Sequence, residues 1–199
     1  MILYLHGFRS SPASFKARLL AAELERRGLA SLWRCPELPA SPRAAIELAS
    51  AIARTVPPET LTIIGSSLGG YYATWLAERF GCRAVLLNPA VNAADKLADH
   101  VGEHRHYHRD EAFVFLPEYV DELRAIQVDC ITRPERYFLL AATGDELLDW
   151  REMCAHYPGA RHLVIQGSDH GLSDFARWMP QVLAFAGIDA TGATPHQDP

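Results

Sequence analysis

The chain has 199 residues, 49% of them hydrophobic and 22% charged, with a formal net charge of −5. A chain of this length is one domain that buries about 70% of its unfolded surface. Its scattered Lys and Arg exclude a basic nucleic-acid-binding stripe, and no apolar run approaches the roughly 20 residues of a membrane span.

The opening MILYLHGF has neither a basic segment nor a long apolar core, so no signal peptide is expected. The four cysteines, Cys35, Cys82, Cys130 and Cys154, lie far apart with no CxxC. A cytoplasmic protein with reduced thiols is the expectation. Residues 2–5 form an apolar run that predicts a first strand. Ser11-Pro12 predicts a helix start with Pro at the first helical position. Phe15, Leu19, Leu20 and Leu24 then make an apolar stripe, which Gly28 closes. Residues 29–34 read as a second strand. Ser41-Pro42 opens another helix with Ile46, Leu48, Ile52 and Ala53 inward, and Pro57-Pro58 ends the connection.

Residues 61–65 predict a third strand, 70–80 a helix, and 84–87 a fourth strand stopped by Asn88-Pro89. Residues 137–142 predict a fifth strand. Residues 149–156 predict a helix, with Asp149 and Glu152 spaced as a capping box. Residues 162–165 predict a sixth strand and 172–185 a last helix, and 188–199 read as a loose tail. Near-continuous apolar strands separated by helices predict an α/β domain over 1–187, its parallel sheet covered on both faces. Residues 90–135 interrupt the alternation with polar, His-rich and then helical text. An insert of that length reads as a functional cap.

The chemistry concentrates where the third strand ends. Gly65-Ser66-Ser67-Leu68-Gly69 matches G-x-S-x-G, a weak signal alone because Gly and Ser are common. Its place between a buried strand and a helix gives it meaning. A turn that sharp strains the serine backbone and needs small neighbours at −2 and +2, which Gly65 and Gly69 supply. The Ser67 hydroxyl then stands at a helix N-terminus, where free N–H groups favour developing negative charge. Ser66 occupies the variable position.

A serine hydroxyl needs a base, and the base needs a carboxylate to hold its tautomer. On this architecture the order is serine, acid, histidine. His170, between the sixth strand and the last helix, is the leading base. His6 precedes the serine, His156 and His162 flank a turn on the opposite side of the sheet, and His196 lies in the tail. Asp145, two residues past the fifth strand, is the leading acid. Asp149 is the alternative and is better explained as a helix cap. Glu146 is expected to point elsewhere, and Asp169 is too close in sequence to face the His170 ring. An oxyanion needs two backbone donors: the Leu68 N–H, and the Phe8 N–H in the loop where Gly7 permits close approach.

His100, His104, His106 and His108 raise a metal site, but no HExxH and no carboxylate set accompanies them. Neither a metal nor an organic cofactor is expected.

The blocks YLHGF, SSPxSxK, GSSLGGYYATWLAE, LLNPAV, TGDELLDW and GSDHG resemble the small YqiA/YcfP-type esterases of the α/β-hydrolase superfamily. The resemblance runs from residue 2 to about residue 186. It implies a three-layer α/β-hydrolase fold with a six-stranded sheet ordered 2-1-3-4-5-6 and a helical cap. It also implies a Ser67-His170-Asp145 triad acting through an acyl-enzyme on carboxylic esters, with acyl-CoA thioesters as a further class. The partner expected is a small-molecule acyl ester or thioester. A non-catalytic binding protein and an acyltransferase with the same triad remain alternatives. The segment GEHRHYHRDEAF, residues 102–113, is richer in His and Arg than the resemblance leads one to expect.

Overall fold

Apolar side chains on both sides of a strand require a layer on each side of the sheet, and the first strand meets that condition. All four residues of β1 (Ile2–Leu5) are buried. A computed structural model describes residues 1–108 and 110–188. In chain order β1 is followed by α1 (Phe15–Arg26), β2 (Trp33–Arg34), α2 (Pro42–Ala53), β3 (Thr62–Ser66), α3 (Leu68–Phe80) and β4 (Arg83–Leu87). The insert holds α4 (Ala93–Ala98), β5 (Gly102–Arg105), β6 (Ala112–Phe115) and α5 (Pro117–Ala125). The domain closes with β7 (Tyr137–Ala142), α6 (Trp150–His156), β8 (Arg161–Ile165) and α7 (Phe175–Phe185).

The main sheet runs β2-β1-β3-β4-β7-β8 with every pair parallel. This is the expected 2-1-3-4-5-6 order once the separate β5–β6 hairpin is left out of the count. The period-two alternation divides the core. Leu3, Leu5, Ile63, Leu86 and Leu139 pack with α2 and α3 on one face. Tyr4, Ile64, Val85, Phe138 and Leu140 pack with α1 and α7 on the other. Each large side chain so buried contributes about 1.5–3 kcal/mol. Because all six strands point one way, Leu5, Ser66, Leu87, Ala142 and Ile165 end at one edge, where such sheets carry their sites.

Several local expectations are corrected. Ser11-Pro12 forms a turn rather than a helix start: Ser11 Oγ accepts the Ala13 N–H at 3.1 Å and its carbonyl accepts the Ser14 N–H at 3.1 Å. The helix therefore begins at Phe15, and its inward stripe is Lys16, Ala17, Leu20 and Leu24, while Phe15 is 44% exposed. The second strand shrinks to Trp33–Arg34 because the Leu32 N–H bonds back to the Leu29 carbonyl at 3.0 Å and closes a turn. On α2 the buried side chains are Ala45, Ile46, Ala49 and Ala53, and Leu48 is exposed.

The cap is not wholly helical. Its His-rich text pairs as an antiparallel hairpin with His104 opposite Phe113. Asp149 caps α6 by accepting the Arg151 N–H at 2.9 Å, but Glu152 faces Lys96 at 3.6 Å instead of completing a box. The last helix starts at Phe175, after Leu172 turns through a φ of 50°. Of the expected tail, Ile188 is buried in the core and 189–199 lie outside the described residues. All four cysteines are free, and among the described residues no helix is long and apolar enough to cross a membrane.

The tightest packing lies under the β3–α3 turn. A Cβ on Gly69 would stand 2.0 Å from the Leu5 carbonyl oxygen, and one on Gly65 2.2 Å from the Gly69 oxygen. Gly28 has a φ of 73° with nothing within 4 Å of such a Cβ. Gly69→Ala is therefore expected to cost about 3 kcal/mol or more through overpacking against backbone. Gly28→Ala should cost only the left-handed strain of about 1–2 kcal/mol. Urea denaturation checks the order, and equal losses would contradict the packing argument.

Candidate active site

Three loops at the C-terminal edge of the sheet build the site. The first is the β3–α3 turn. Ser67 lies between the last residue of β3 and the first of α3, with φ 55° and ψ −121°. A non-glycine residue is held there only when its surroundings over-determine it. The Ser67 N–H donates to the Leu87 carbonyl at 3.1 Å. Its own carbonyl accepts the N–H groups of Gly70 at 2.9 Å and Ala90 at 3.1 Å. Strand ladder, helix start and the loop after β4 thus grip one peptide from three sides. Gly70 serves the same end, since a Cβ there would come within 2.6 Å of the Pro89 side chain.

The second loop follows β7. The Asp145 side chain is wholly buried. Its Oδ1 accepts the N–H groups of Leu147 at 2.8 Å and Leu148 at 2.9 Å, and its Oδ2 meets the third loop. There His170 Nδ1 lies 2.8 Å from Asp145 Oδ2. Donation from Nδ1 to the carboxylate leaves Nε2 as the ring's free acceptor. Glu146 takes not the ring but the His170 backbone N–H, at 2.9 Å. The two loops are zipped together by the Gly144 N–H on the Gly167 carbonyl at 3.0 Å and the Gly167 N–H on Thr143 Oγ1 at 2.8 Å. Gly144 is required here because a Cβ would stand 2.3 Å from the Ser168 carbonyl oxygen.

A fourth segment closes over the serine. Ser10 N–H bonds to the Gly7 carbonyl at 3.2 Å, a turn in which Arg9 adopts a φ of 60°. A Cβ on Gly7 would lie 3.1 Å from Ser67 Cβ, so the loop passes directly over the elbow. The cap holds it down. The Phe8 ring meets His104, Phe113 and Phe115 edge-on at 5.1–5.7 Å between centroids. Arg9 Nε donates to the Arg105 carbonyl at 2.9 Å, the Tyr107 N–H donates to the Arg9 carbonyl at 2.9 Å, and the guanidinium lies 4.5 Å from the Tyr107 ring centroid. Leu68, as first residue of α3, has an N–H that precedes the helical ladder.

Ser67, Leu68, Phe8 and His170 line one cavity of about 460 Å³. Asp145 sits behind His170, and Gly65 and Gly69 lie beneath the serine. The rivals go elsewhere. Asp149 caps α6, and Asp169 Oδ1 accepts the Ser173 N–H at 2.9 Å. His6 is buried and accepts the Leu38 N–H at 3.1 Å. His162, near the start of β8 and so at the opposite end of the sheet, faces the Tyr157 carbonyl at 2.7 Å, and His196 lies outside the described residues. Among the described residues no group of three or more His, Cys, Asp or Glu side chains is placed to hold a metal.

Two residues escape the sequence reading. Asn88, read there only as a strand stop, is fully buried with a φ of 43°. Its Nδ2 donates to the carbonyls of Asp169 at 3.0 Å and His170 at 3.2 Å, and its Oδ1 accepts the Ala142 N–H at 2.8 Å. It fastens the His170 loop to the sheet. Lys16 reaches the cavity from α1 and donates to the Gly171 carbonyl at 2.5 Å. Burial pushes its ammonium down to about 8, against the opposing pull of Asp169 and Asp145. Both lie within blocks whose resemblance is already noted, SSPxSxK and LLNPAV, which were the available signals.

Residues 1–187 match the profile of the family described as "Uncharacterised protein family (UPF0227)", and the chain belongs to that family. Among solved structures it is similar to a protein of Agrobacterium vitis S4 assigned provisionally as a hydrolase. That match has 20% identity, covers 93% of this chain and 87% of the other, and has a TM-score of 0.69. Est1E from Butyrivibrio proteoclasticus, solved with ferulic acid bound, matches at 12% identity over 92% and 85%, TM-score 0.66. Mouse alpha/beta hydrolase domain-containing protein 10 matches at 14% identity over 92% and 89%, TM-score 0.65. These likenesses establish the α/β-hydrolase fold.

Replacing Asn88 by Ala removes three hydrogen bonds at once, one buried and two part-buried. Each orphaned buried group costs about 1–3 kcal/mol. Asn88→Ala is expected to lose roughly 3 kcal/mol in urea denaturation and to lose amide-exchange protection at Ala142. Unchanged values in both measurements would contradict the fastening assigned to it.

Proposed function

We propose that this UPF0227 member is a serine hydrolase that cleaves carboxylic esters through an acyl-enzyme. The observation that carries the reading is the buried Asp145 carboxylate 2.8 Å from His170 Nδ1, on the wall of the cavity into which the strained Ser67 opens. A protein that only bound ligands would have no need of a backbone held at φ 55° between three hydrogen-bonding partners. Est1E, which shares the fold, holds ferulic acid. By analogy of fold this supports a small acyl ligand for this chain.

His170 Nε2 takes the proton of Ser67 Oγ as that oxygen bonds to the acyl carbon. Asp145 holds the ring in the required tautomer and stabilises the imidazolium. The N–H groups of Leu68 and Phe8 receive the oxyanion. The tetrahedral species collapses, its bond to the alkoxy oxygen breaks, and the alcohol leaves with the proton from His170. Water then adds to the acyl carbon while His170 takes its proton. The bond to Ser67 breaks, the proton returns to Oγ, and the carboxylic acid departs. The cap, by pinning Phe8 and Arg9, keeps the second oxyanion donor over the serine before substrate arrives, so that reorganisation does not add to the barrier.

Wild-type protein is expected to react covalently with a fluorophosphonate probe, and Ser67→Ala should not. With 4-nitrophenyl butyrate, Ser67→Ala and His170→Ala are each expected to lose about 10³-fold or more in kcat. Equal labelling of wild type and Ser67→Ala would eliminate Ser67 as the nucleophile.

A further inference from the structure

Lys16 occupies a position where a lysine is costly. It lies in the first turn of α1, on the face that packs inward, and is 8% exposed. Buried lysines normally carry a carboxylate partner. Among the described residues no carboxylate lies within 4 Å of Lys16, and its one hydrogen bond goes to the neutral carbonyl of Gly171. The acids nearest in effect are already used. Asp145 faces His170 and two backbone N–H groups, and Asp169 accepts the Ser173 N–H. An ammonium has three donors in a fixed tripod, so one bond leaves two of them uncommitted.

Lys16 lines the cavity that also holds Ser67 and His170. Among the described residues that line it there is no Asp or Glu, whereas Lys16, Lys96 and Arg9 all contribute to its wall. The other two cations are engaged: Lys96 stands 3.6 Å from Glu152, and Arg9 is bonded to the cap. Lys16 alone is both buried and without an opposite charge in contact, one residue from the proposed base. Much of the rest of the wall is apolar, including Phe8, Leu97, Leu147 and Leu148, beside the polar side chains of Ser10, Ser66, Tyr107 and His100. A buried cation with no carboxylate in contact attracts an anion far more strongly than an exposed lysine does.

We propose that Lys16 determines specificity by binding an anionic group on the substrate, so that the esters preferred are those bearing a carboxylate in the acyl or the alcohol portion. This rests on the hydrolase reading above, but the binding it predicts is measurable without turnover. The deprotonated fraction of Lys16 stays small near neutral pH with its ammonium at about 8, which is consistent with a cationic subsite.

The test uses three proteins: wild type, Lys16→Gln and Lys16→Arg. Gln keeps a donor for the Gly171 carbonyl but no charge, and Arg keeps the charge. Kinetics are measured on mono(4-nitrophenyl) esters of dicarboxylic acids from glutaric to suberic, each against its methyl-capped neutral counterpart. A second arm puts the carboxylate on the leaving group, with 3-carboxy-4-nitrophenyl butyrate against its carboxamide. The arms tell which portion carries the anion. The expected result is a preference of about tenfold or more in kcat/KM for the charged member in one arm. It should be lost in Lys16→Gln and kept in Lys16→Arg.

Calorimetric binding of monomethyl suberate against dimethyl suberate, on the Ser67→Ala background, gives the reading without chemistry. The anion should bind about tenfold or more tightly than with Lys16→Gln added. Turnover without charge preference in either arm, or anion binding indifferent to Lys16, would overturn the proposal and leave the hydrolase reading standing. Charge-dependent binding with no ester turnover would do the reverse.

Discussion

The molecule is organised around one peptide that is held in an unfavourable conformation. Ser67 sits at φ 55°, ψ −121°, a geometry that costs an L-residue about 1–3 kcal/mol. It persists because its N–H continues the β3–β4 ladder and its carbonyl receives N–H groups from both the new helix and the loop beyond β4. The glycines around it are a consequence of the same crowding. Gly65, Gly69 and Gly70 each stand where a methyl group would enter neighbouring atoms. With the strand buried on both faces, the strain is a small part of the packing energy that surrounds it.

Asp145 and His170 are fixed relative to that peptide by polar contacts. Asp145 satisfies its carboxylate with two backbone N–H groups and the His170 ring. Asn88, at the end of the strand next to β3, holds the carbonyl of His170 itself. The position of the imidazole is thereby tied to β4 and β7, the two strands nearest the elbow on that side. From the opposite side the cap hairpin presses on Phe8 and Arg9 and fixes the loop above Ser67. A cleft assembled this way is rigid where bonds are proposed to break. Within it the buried ammonium of Lys16, with no carboxylate in contact, stands out.

Much of this architecture is legible in the sequence, and the exceptions have physical causes. Five of the six strands of the main sheet read correctly because a sheet covered on both faces demands unbroken apolar runs, as in LTIIG and YFLLAA, whereas the second strand is short and only partly covered. Ser67, Asp145 and His170 were selected by their order and by their place after strands, both of which are properties of the chain path. What failed was phase and pairing. Ser11-Pro12 has the chemistry of a helix start, but the Ser11 side chain closes a turn instead. That displacement of the helix start turned Lys16 inward and Phe15 outward, against every hydropathy expectation. The His-rich hairpin hides its apolar alternation because the inward position of β5 is His104, set against Phe8 and opposite Phe113, rather than an apolar residue. Asn88 looked like punctuation since Asn-Pro so often is. Its use as a triple hydrogen-bonding bracket depends on loops more than fifty residues away in sequence.

The central claim is geometric: the Ser67 oxygen, the Leu68 and Phe8 N–H groups and the His170 ring converge on a single point in the cavity. A crystal structure of the protein inactivated by a phosphonate ester measures that convergence directly. The account predicts phosphorus bonded to Ser67 Oγ, with the phosphonyl oxygen about 2.7–3.1 Å from the Phe8 and Leu68 nitrogens and the His170 ring beside the adduct. An adduct on another residue, or a phosphonyl oxygen directed away from those two nitrogens, would contradict it.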